Sequence, residues 1–145
     1  MNCQLLPADA LSDFKALLTC YEIAFEMENF VCPNDKHLLS VLADDRFRAF
    51  VATVDGQVIG GLTGFILPQY YSSKPQFYLY DMAVLPAYHR QGVGRALLEE
   101  LKSYCTTAGF DNFFVQADLE DTHALEFYRA TGGIAAEVMH FTYDL

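Results

Sequence analysis

Apolar residues recur at steps of three and four through Leu11, Phe14, Leu17, Leu18, Tyr21 and Phe25, which predicts an amphipathic helix. Pro7 and Asp9 stand where a helix start would want them, and Glu22 and Glu26, four apart, would share one face. Asn29 to Asn34 breaks the pattern with Pro33, and Asn34 or Asp35 can cap a second, short helix through His37, Leu38, Val41 and Leu42. Arg48 to Thr53 predicts a strand, Asp55-Gly56 a two-residue hairpin turn, and Val58 to Leu67 the return strand. Glycines inside that return strand suggest a bulge or a close backbone approach. After a polar and aromatic loop from Gln69 to Pro75, a third strand runs from Gln76 to Leu85 and stops at Pro86. Regular alternation sets Phe77, Leu79, Asp81, Ala83 and Leu85 against Tyr78, Tyr80, Met82 and Val84, so Tyr80 and Asp81 are expected on opposite faces. Apolar side chains on both faces predict an internal strand covered on both sides.

A further helical stripe follows through Val93, Leu97, Leu98, Leu101, Tyr104, Cys105 and Ala108, with Gly109 as its stop. Asn112 to Ala117 predicts a short strand. Thr122 to Thr131 predicts a helix capped by Asp121 or Thr122 and ended by Gly132-Gly133, and Glu137 to Tyr143 a closing strand. The order is α-α-β-β-β-α-β-α-β, which predicts one α/β domain over residues 1–145 with helices on the faces of a sheet. At 145 residues the chain can bury a full core, and its apolar share of 52% excludes a disordered or fibrous chain.

Charge narrows the partners. The formal net charge is −10, so generic nucleic-acid binding through phosphates is not expected, whereas polycations would be attracted. The apolar runs are too short to cross a bilayer and the N-terminus lacks a basic, then apolar, leader, so no membrane partner is expected and the cytoplasm is the expected compartment. Cys3, Cys20, Cys32 and Cys105 form no C-x-x-C pair and are read as free thiols. The four histidines show no ligand spacing, so no metal is implied.

The stretch with candidate chemistry is His89-Arg90-Gln91-Gly92-Val93-Gly94, between a strand and a helix. Glycines there let the backbone pass close to a ligand, and the helix start offers unpaired N–H groups and partial positive charge, an anion site suited to a pyrophosphate. Arg90 and Arg95 add charge to it. A plain tight turn with glycines for packing is the other reading. The loop lacks the Gly-Lys-Ser/Thr ending of a Walker loop and the context of a dinucleotide fingerprint.

The run from Tyr80 to Pro86, followed by Tyr88 to Leu98, resembles the acetyl-coenzyme A site of the GNAT acetyltransferase superfamily. His89 departs from the Arg or Gln usual at its position. Asp121, Ala124 and Tyr128 keep the spacing of the family's later helix, and Arg129 to Gly133 completes a Tyr-x-x-x-Gly ending. Within the superfamily, Tyr78 to Val84, Val115 to Asp118 and Glu137 to Phe141 are similar to aminoglycoside 3-N-acetyltransferases of the GNAT type. The resemblance implies a GNAT fold, a mixed central sheet with splayed parallel strands and helices on both faces. It implies that the pantetheine arm pairs with backbone at Met82, Ala83 and Val84, and that His89, Arg90, Gln91, Gly92, Val93, Gly94, Arg95 and Ala96 hold the pyrophosphate. The implied reaction is acetyl transfer from acetyl-coenzyme A to an amine of an aminoglycoside, the 3-amino group, by direct attack in a ternary complex. Family members often dimerise, so a homodimer is compatible with it.

An amine must lose a proton to attack, so a base is needed. Asp81, mid-strand among apolar neighbours, is the candidate; a structural aspartate beside a bulge is the alternative. The resemblance gives Tyr128 the role of proton donor to the leaving thiolate, against a core aromatic on a helix face. A polycationic substrate calls for carboxylates: Glu26 and Glu28 after the first helix, Asp118, Glu120 and Asp121 after the fifth strand, and Asp144. Tyr70 and Tyr71 could stack on sugar faces. The rival functions are acetyl transfer to another amine (a polyamine, a small metabolite or a peptide N-terminus) and a coenzyme A-binding module without turnover.

Overall fold

The computed structural model describes residues 1–145. Five strands form one sheet in sequence order: β1 (Asn2–Leu5), β2 (Phe47–Val54), β3 (Gln57–Leu67), β4 (Gln76–Val84) and β5 (Asn112–Val115). The pairs are antiparallel except β4 with β5, which run parallel. The helices are α1 (Leu11–Ala24), α2 (Asp35–Leu42), α3 (Val93–Thr107) and α4 (Thr122–Ala130). No helix is long and apolar enough to cross a membrane.

Local chemistry explains most boundaries. The Asn34 side chain accepts from the backbone N–H of His37 and starts α2, and Asp121 accepts from that of Ala124 and starts α4. Asp55 and Gly56 take positive φ at the β2–β3 turn. Three expectations change. Helix α1 begins after Ala10 with no side-chain cap and ends at Ala24, so Glu26 lies beyond it with a φ of +50° and does not share a helix face with Glu22. Strand β1 was not read from the pattern; its four residues gain strand geometry by pairing with β2 along Phe50 to Thr53. The closing strand expected over Glu137 to Tyr143 is absent: the chain there is exposed, belongs to no helix or strand, and pairs with no strand of its own sheet.

The sheet has a core on each face. Helices α1 and α2 cover Phe47, Ala49, Val51 and Ala83 with Phe14, Leu17, Tyr21, Leu38 and Leu42. Helix α3 covers Phe50, Ala52, Ile59, Leu62, Phe77 and Leu79 with Val93, Leu97, Leu98 and Leu101. Adjacent residues of β2 thus serve opposite cores, as its pleat requires. A Cβ on Gly61 would overlap the Phe50 carbonyl and the Leu17 side chain, so this glycine lets α1 sit close on the middle of the sheet.

Candidate active site

The site begins where two parallel strands part. β4 pairs with β5 only from Gln76 to Leu79, opposite Asn112 to Val115. Beyond Leu79, β4 continues to Val84 on β3 alone, so its β5-side edge is open. At this point Leu79 opposes Gly64 and Asp81 opposes Thr63, with Tyr80 inserted between them. This bulge inverts the pleat. Before it, Phe77 and Leu79 point into the α3 core; after it, Met82 and Val84 pack against that core and Ala83 joins the α1 core. Tyr80 lies against Phe65, whose ring meets Phe47 of the α1 core. Tyr80 and Asp81 therefore share the α1 face, which corrects the expectation of opposite faces; regular alternation does not hold through a bulge.

Tyr21 of α1 fastens the bulge. It is only 4% exposed, and its hydroxyl lies 3.2 Å from the Asp81 carbonyl oxygen and 3.2 Å from Thr63 Oγ1. The carbonyl can only accept, so Tyr21 donates to it and receives from the Thr63 hydroxyl. The Asp81 side chain is partly buried, and desolvation raises its carboxyl above the ordinary carboxylate range. Burial likewise raises the Tyr21 and Tyr78 hydroxyls, with the Asp81 charge adding to both. Tyr128 is pushed up to about 12 by burial and by the charges of Asp121 and Asp81, so it keeps its proton at neutral pH. Asp81 thus sits within electrostatic reach of three tyrosines.

The turn into α3 supplies donors. Gly92 takes a left-handed conformation at the helix N-cap, and Arg90 also has positive φ. The first backbone bond of the helix runs from the Ala96 N–H to the Gly92 carbonyl, and the N–H groups of Arg90 to Arg95 have no protein acceptor. A Cβ on Gly92 would meet nothing within 4 Å, so the ground before these N–H groups is open. Gly94 serves packing instead: its Cβ would lie 3.1 Å from Met82 Cε and 3.4 Å from the Phe127 ring. His89 Nε2 lies 2.7 Å from the Val84 carbonyl, so it ties the loop to the end of β4. Arg95 reaches the Ala130 carbonyl at 3.4 Å and Lys102 that of Thr131 at 3.2 Å, which holds α4 against α3.

This donor set fits an anionic nucleotide followed by a thin amide-bearing chain. The N–H groups of Arg90 to Arg95 suit a pyrophosphate, and the free edge at Met82, Ala83 and Val84 suits amide pairing. Ala96 is already inside the helical hydrogen-bond pattern and contributes least.

The expected substrate carboxylates are brought together only in part. Asp118, Glu120 and Asp121 share one turn before α4, where the Asp121 and Thr122 N–H groups bond to the Asp118 and Glu120 carbonyls. Glu26 and Glu28 are exposed beyond α1, next to Phe25, whose ring lies 5.3 Å from that of Tyr21. Asp144 lies in the exposed C-terminal segment and joins none of them. Tyr70 and Tyr71 stand on the surface, edge to face with each other. Tyr21 and Thr63 were missed as site residues. The available signal was a tyrosine inside the apolar stripe of α1, whose hydroxyl needs a buried partner.

The acetyltransferase (GNAT) family matches over residues 14–132. An aminoglycoside N(6')-acetyltransferase type 1 of Salmonella typhimurium is 27% identical over 106 residues, covering 69% of this chain and 73% of its own. An aminoglycoside acetyltransferase from an uncultured soil metagenomic sample, solved in complex with sisomicin, is 40% identical. It superposes with a TM-score of 0.97 over 99% of this chain and 95% of its own, so the alignment runs into the exposed C-terminal segment. The aminoglycoside N-acetyltransferase AAC(6')-Iy in complex with CoA shares the fold, with a TM-score of 0.78 at 20% identity over 99% of each chain.

Proposed function

From a chain that belongs to the acetyltransferase (GNAT) family, we propose an enzyme that moves an acetyl group from acetyl-coenzyme A to an amine of an aminoglycoside, the 3-amino group. The observation that carries this is the placement of Asp81, a partly buried carboxylate at the bulge where β4 loses its second neighbour. Arg90 to Arg95 would hold the pyrophosphate through backbone N–H groups, and Met82, Ala83 and Val84 the pantetheine amides. The coenzyme brings the acetyl thioester. Asp81 takes the proton that the ammonium must lose, directly or through a water, and its raised pKa suits that task near neutrality. Tyr128, protonated at neutral pH, can return a proton to the departing thiolate.

Support for a polycationic substrate comes from the −10 charge and from the acidic turn Asp118–Asp121 beside Tyr128. The sisomicin complex of the metagenomic relative points the same way. The Salmonella relative, an aminoglycoside N(6')-acetyltransferase, favours a second reading, attack by the 6'-amino group. The cytoplasm is the proposed compartment.

The test is thiol release from acetyl-coenzyme A over gentamicin, sisomicin, kanamycin, spermidine and amino acids, with NMR of the product. Turnover on aminoglycosides well above spermidine, with the new amide at the 3-nitrogen, is expected. An amide at the 6'-nitrogen moves the position and keeps the substrate class. Turnover confined to spermidine or amino acids overturns the aminoglycoside reading.

A further inference from the structure

The open edge of β4 offers fewer groups than its length suggests. The Leu85 N–H donates to the Ile59 carbonyl at 2.8 Å, in step with the pairing of Ala83 with Gly61 and of Val84 with Gly60. Bonded and unbonded pairs alternate along an antiparallel ladder. Ala83 therefore turns its N–H and C=O to β3, while Met82 and Val84 turn theirs to the side that β5 leaves open. One of these open groups already has a partner. His89 Nε2 lies 2.7 Å from the Val84 carbonyl oxygen. A carbonyl only accepts, so Nε2 carries the hydrogen and donates it.

Local sequence puts the ring there. Pro86 to Tyr88 make one turn of 3₁₀ helix, closed by bonds from the Tyr88 N–H to the Leu85 carbonyl and from the His89 N–H to the Pro86 carbonyl. That turn folds the chain back and brings His89 beside the residue that ends β4. His89 is exposed, so its ring adds little to either core. The Val84 carbonyl is also the open-edge acceptor closest along the chain to Arg90–Arg95, whose N–H groups are unpaired. An amide-bearing chain that starts at those N–H groups and runs along β4 towards Asp81 meets Val84 before Met82. Uncapped, the Val84 carbonyl could take an amide two residues early, about 7 Å short of the same contact at Met82.

We propose that His89 positions the coenzyme by capping this carbonyl, so that the pantetheine arm finds only the Val84 N–H and the two backbone groups of Met82 and settles in the register that reaches Asp81. The inference rests on the coenzyme A reading above. It makes His89 a positioning residue that acts through the backbone of β4, and not a ligand of the pyrophosphate. The cap removes a competing register and leaves the productive one untouched, as register control along a strand edge requires.

The experiment compares the native chain with His89→Ala and His89→Gln. Calorimetry reads the binding of desulfo-coenzyme A, and thiol release reads acetyl transfer to sisomicin. An uncapped carbonyl gives the arm a second, unproductive way to bind, so His89→Ala should bind desulfo-coenzyme A more tightly. Its kcat and its KM for acetyl-coenzyme A should fall together by about fivefold, the worth of one added hydrogen bond, with kcat/KM level. His89→Gln keeps a side-chain N–H donor and should bring these values back towards the native ones. Nitrogen NMR of the neutral His89 ring should show the hydrogen on Nε2 both before and after desulfo-coenzyme A is added. Weaker binding in His89→Ala, kinetics indifferent to the substitution, a Gln variant that behaves like Ala, or an Nε2 that gives up its bond when desulfo-coenzyme A binds would each overturn the proposal. A native chain that binds no desulfo-coenzyme A overturns the coenzyme reading itself. Binding without turnover on sisomicin strikes only the aminoglycoside reading, and the calorimetry and NMR still decide the role of His89.

Discussion

The two halves of β4 do opposite work. From Gln76 to Leu79 the strand has a neighbour on each side, and Phe77 and Leu79 are fully buried under α3. From Asp81 to Val84 it has β3 alone, and its first side chain is a carboxylate. Only Tyr80 separates them. The inserted residue flips the pleat, the end of β5 frees an edge, and a strand that would otherwise be all core acquires a half with an open backbone edge and a carboxylate at its start. If Asp81 is the base proposed above, stability and chemistry fall to neighbouring residues of one element, and substitutions on either side of Tyr80 should separate them.

The largest separation is expected from Asp81→Asn. Losing a general base lowers kcat by about 10²–10⁴-fold, while the thermal melt should stay level or rise, since an amide carries no charge to desolvate. The pH dependence has a definite sign. Burial raises the folded-state pKa of Asp81, so the ionised form is disfavoured by folding. The rate needs the anion and climbs as pH rises through that raised value. Stability moves the other way: Asp81 penalises the native state above its folded pKa, and the penalty fades as pH falls through it. A pH–rate profile and melts of both proteins read these two limbs. An Asp81→Asn enzyme with kcat intact would remove Asp81 from the role of base.

On the closed half, Leu79→Ala should do the reverse. Leu79 is 1% exposed in the α3 core, and deleting such a side chain costs about 2–5 kcal/mol. Denaturant melts should show that loss, with kcat per folded molecule near the native value. A comparable fall in kcat would mean that the bulge does not insulate the site from the core.

Much of this was legible in the sequence where the signal is local. The Asn34 and Asp121 caps, the Asp55-Gly56 turn and the stripe of α3 depend on residues within a few positions of one another, and they stand where the pattern puts them. The glycines of β3 pointed to a bulge or a close backbone approach, and both occur, but not to which residue of β4 would be inserted, because that depends on the partner strand's register. The face of Asp81 was therefore misread. β1 is four residues long and becomes a strand only through β2. The segment Glu137 to Tyr143 has the alternation of a strand, but alternation says nothing about whether a partner exists in the same chain. Tyr21 looked like one more apolar position of α1; its hydroxyl matters only because the sheet brings Thr63 and the Asp81 carbonyl to it.

Gly92 forms the N-cap of α3 at the turn that follows β4. Its φ of +81° places it in the left-handed region, where a β-branched side chain costs roughly 1–2 kcal/mol. Gly92→Val should distort the turn that carries the unpaired N–H groups of Arg90 to Arg95. KM for acetyl-coenzyme A is expected to rise about tenfold, the factor equivalent to 1.4 kcal/mol, with kcat at saturation little changed. An unchanged KM would take the pyrophosphate away from this turn.

The smallest effect is expected at Tyr21, and it probes whether the bulge itself needs holding. Tyr21→Phe keeps the ring, and with it the packing on Phe25, and removes only the hydroxyl between the Asp81 carbonyl and Thr63. A buried acceptor left without its donor costs about 1–3 kcal/mol. Relief is available if the bulge shifts toward water at the open edge, and a shifted bulge re-aims Asp81. A purely structural tyrosine would lower the melting temperature and leave kcat and its pH dependence alone. A positioning tyrosine would lower kcat by up to about tenfold and bring the acid limb of the pH–rate profile back toward an ordinary carboxylate as Asp81 gains solvent. KM for acetyl-coenzyme A should change less than in Gly92→Val, since the N–H groups of Arg90 to Arg95 lie on a separate turn. We expect the second pattern, because Tyr21 grips the backbone of the very residue whose side chain is read as the base.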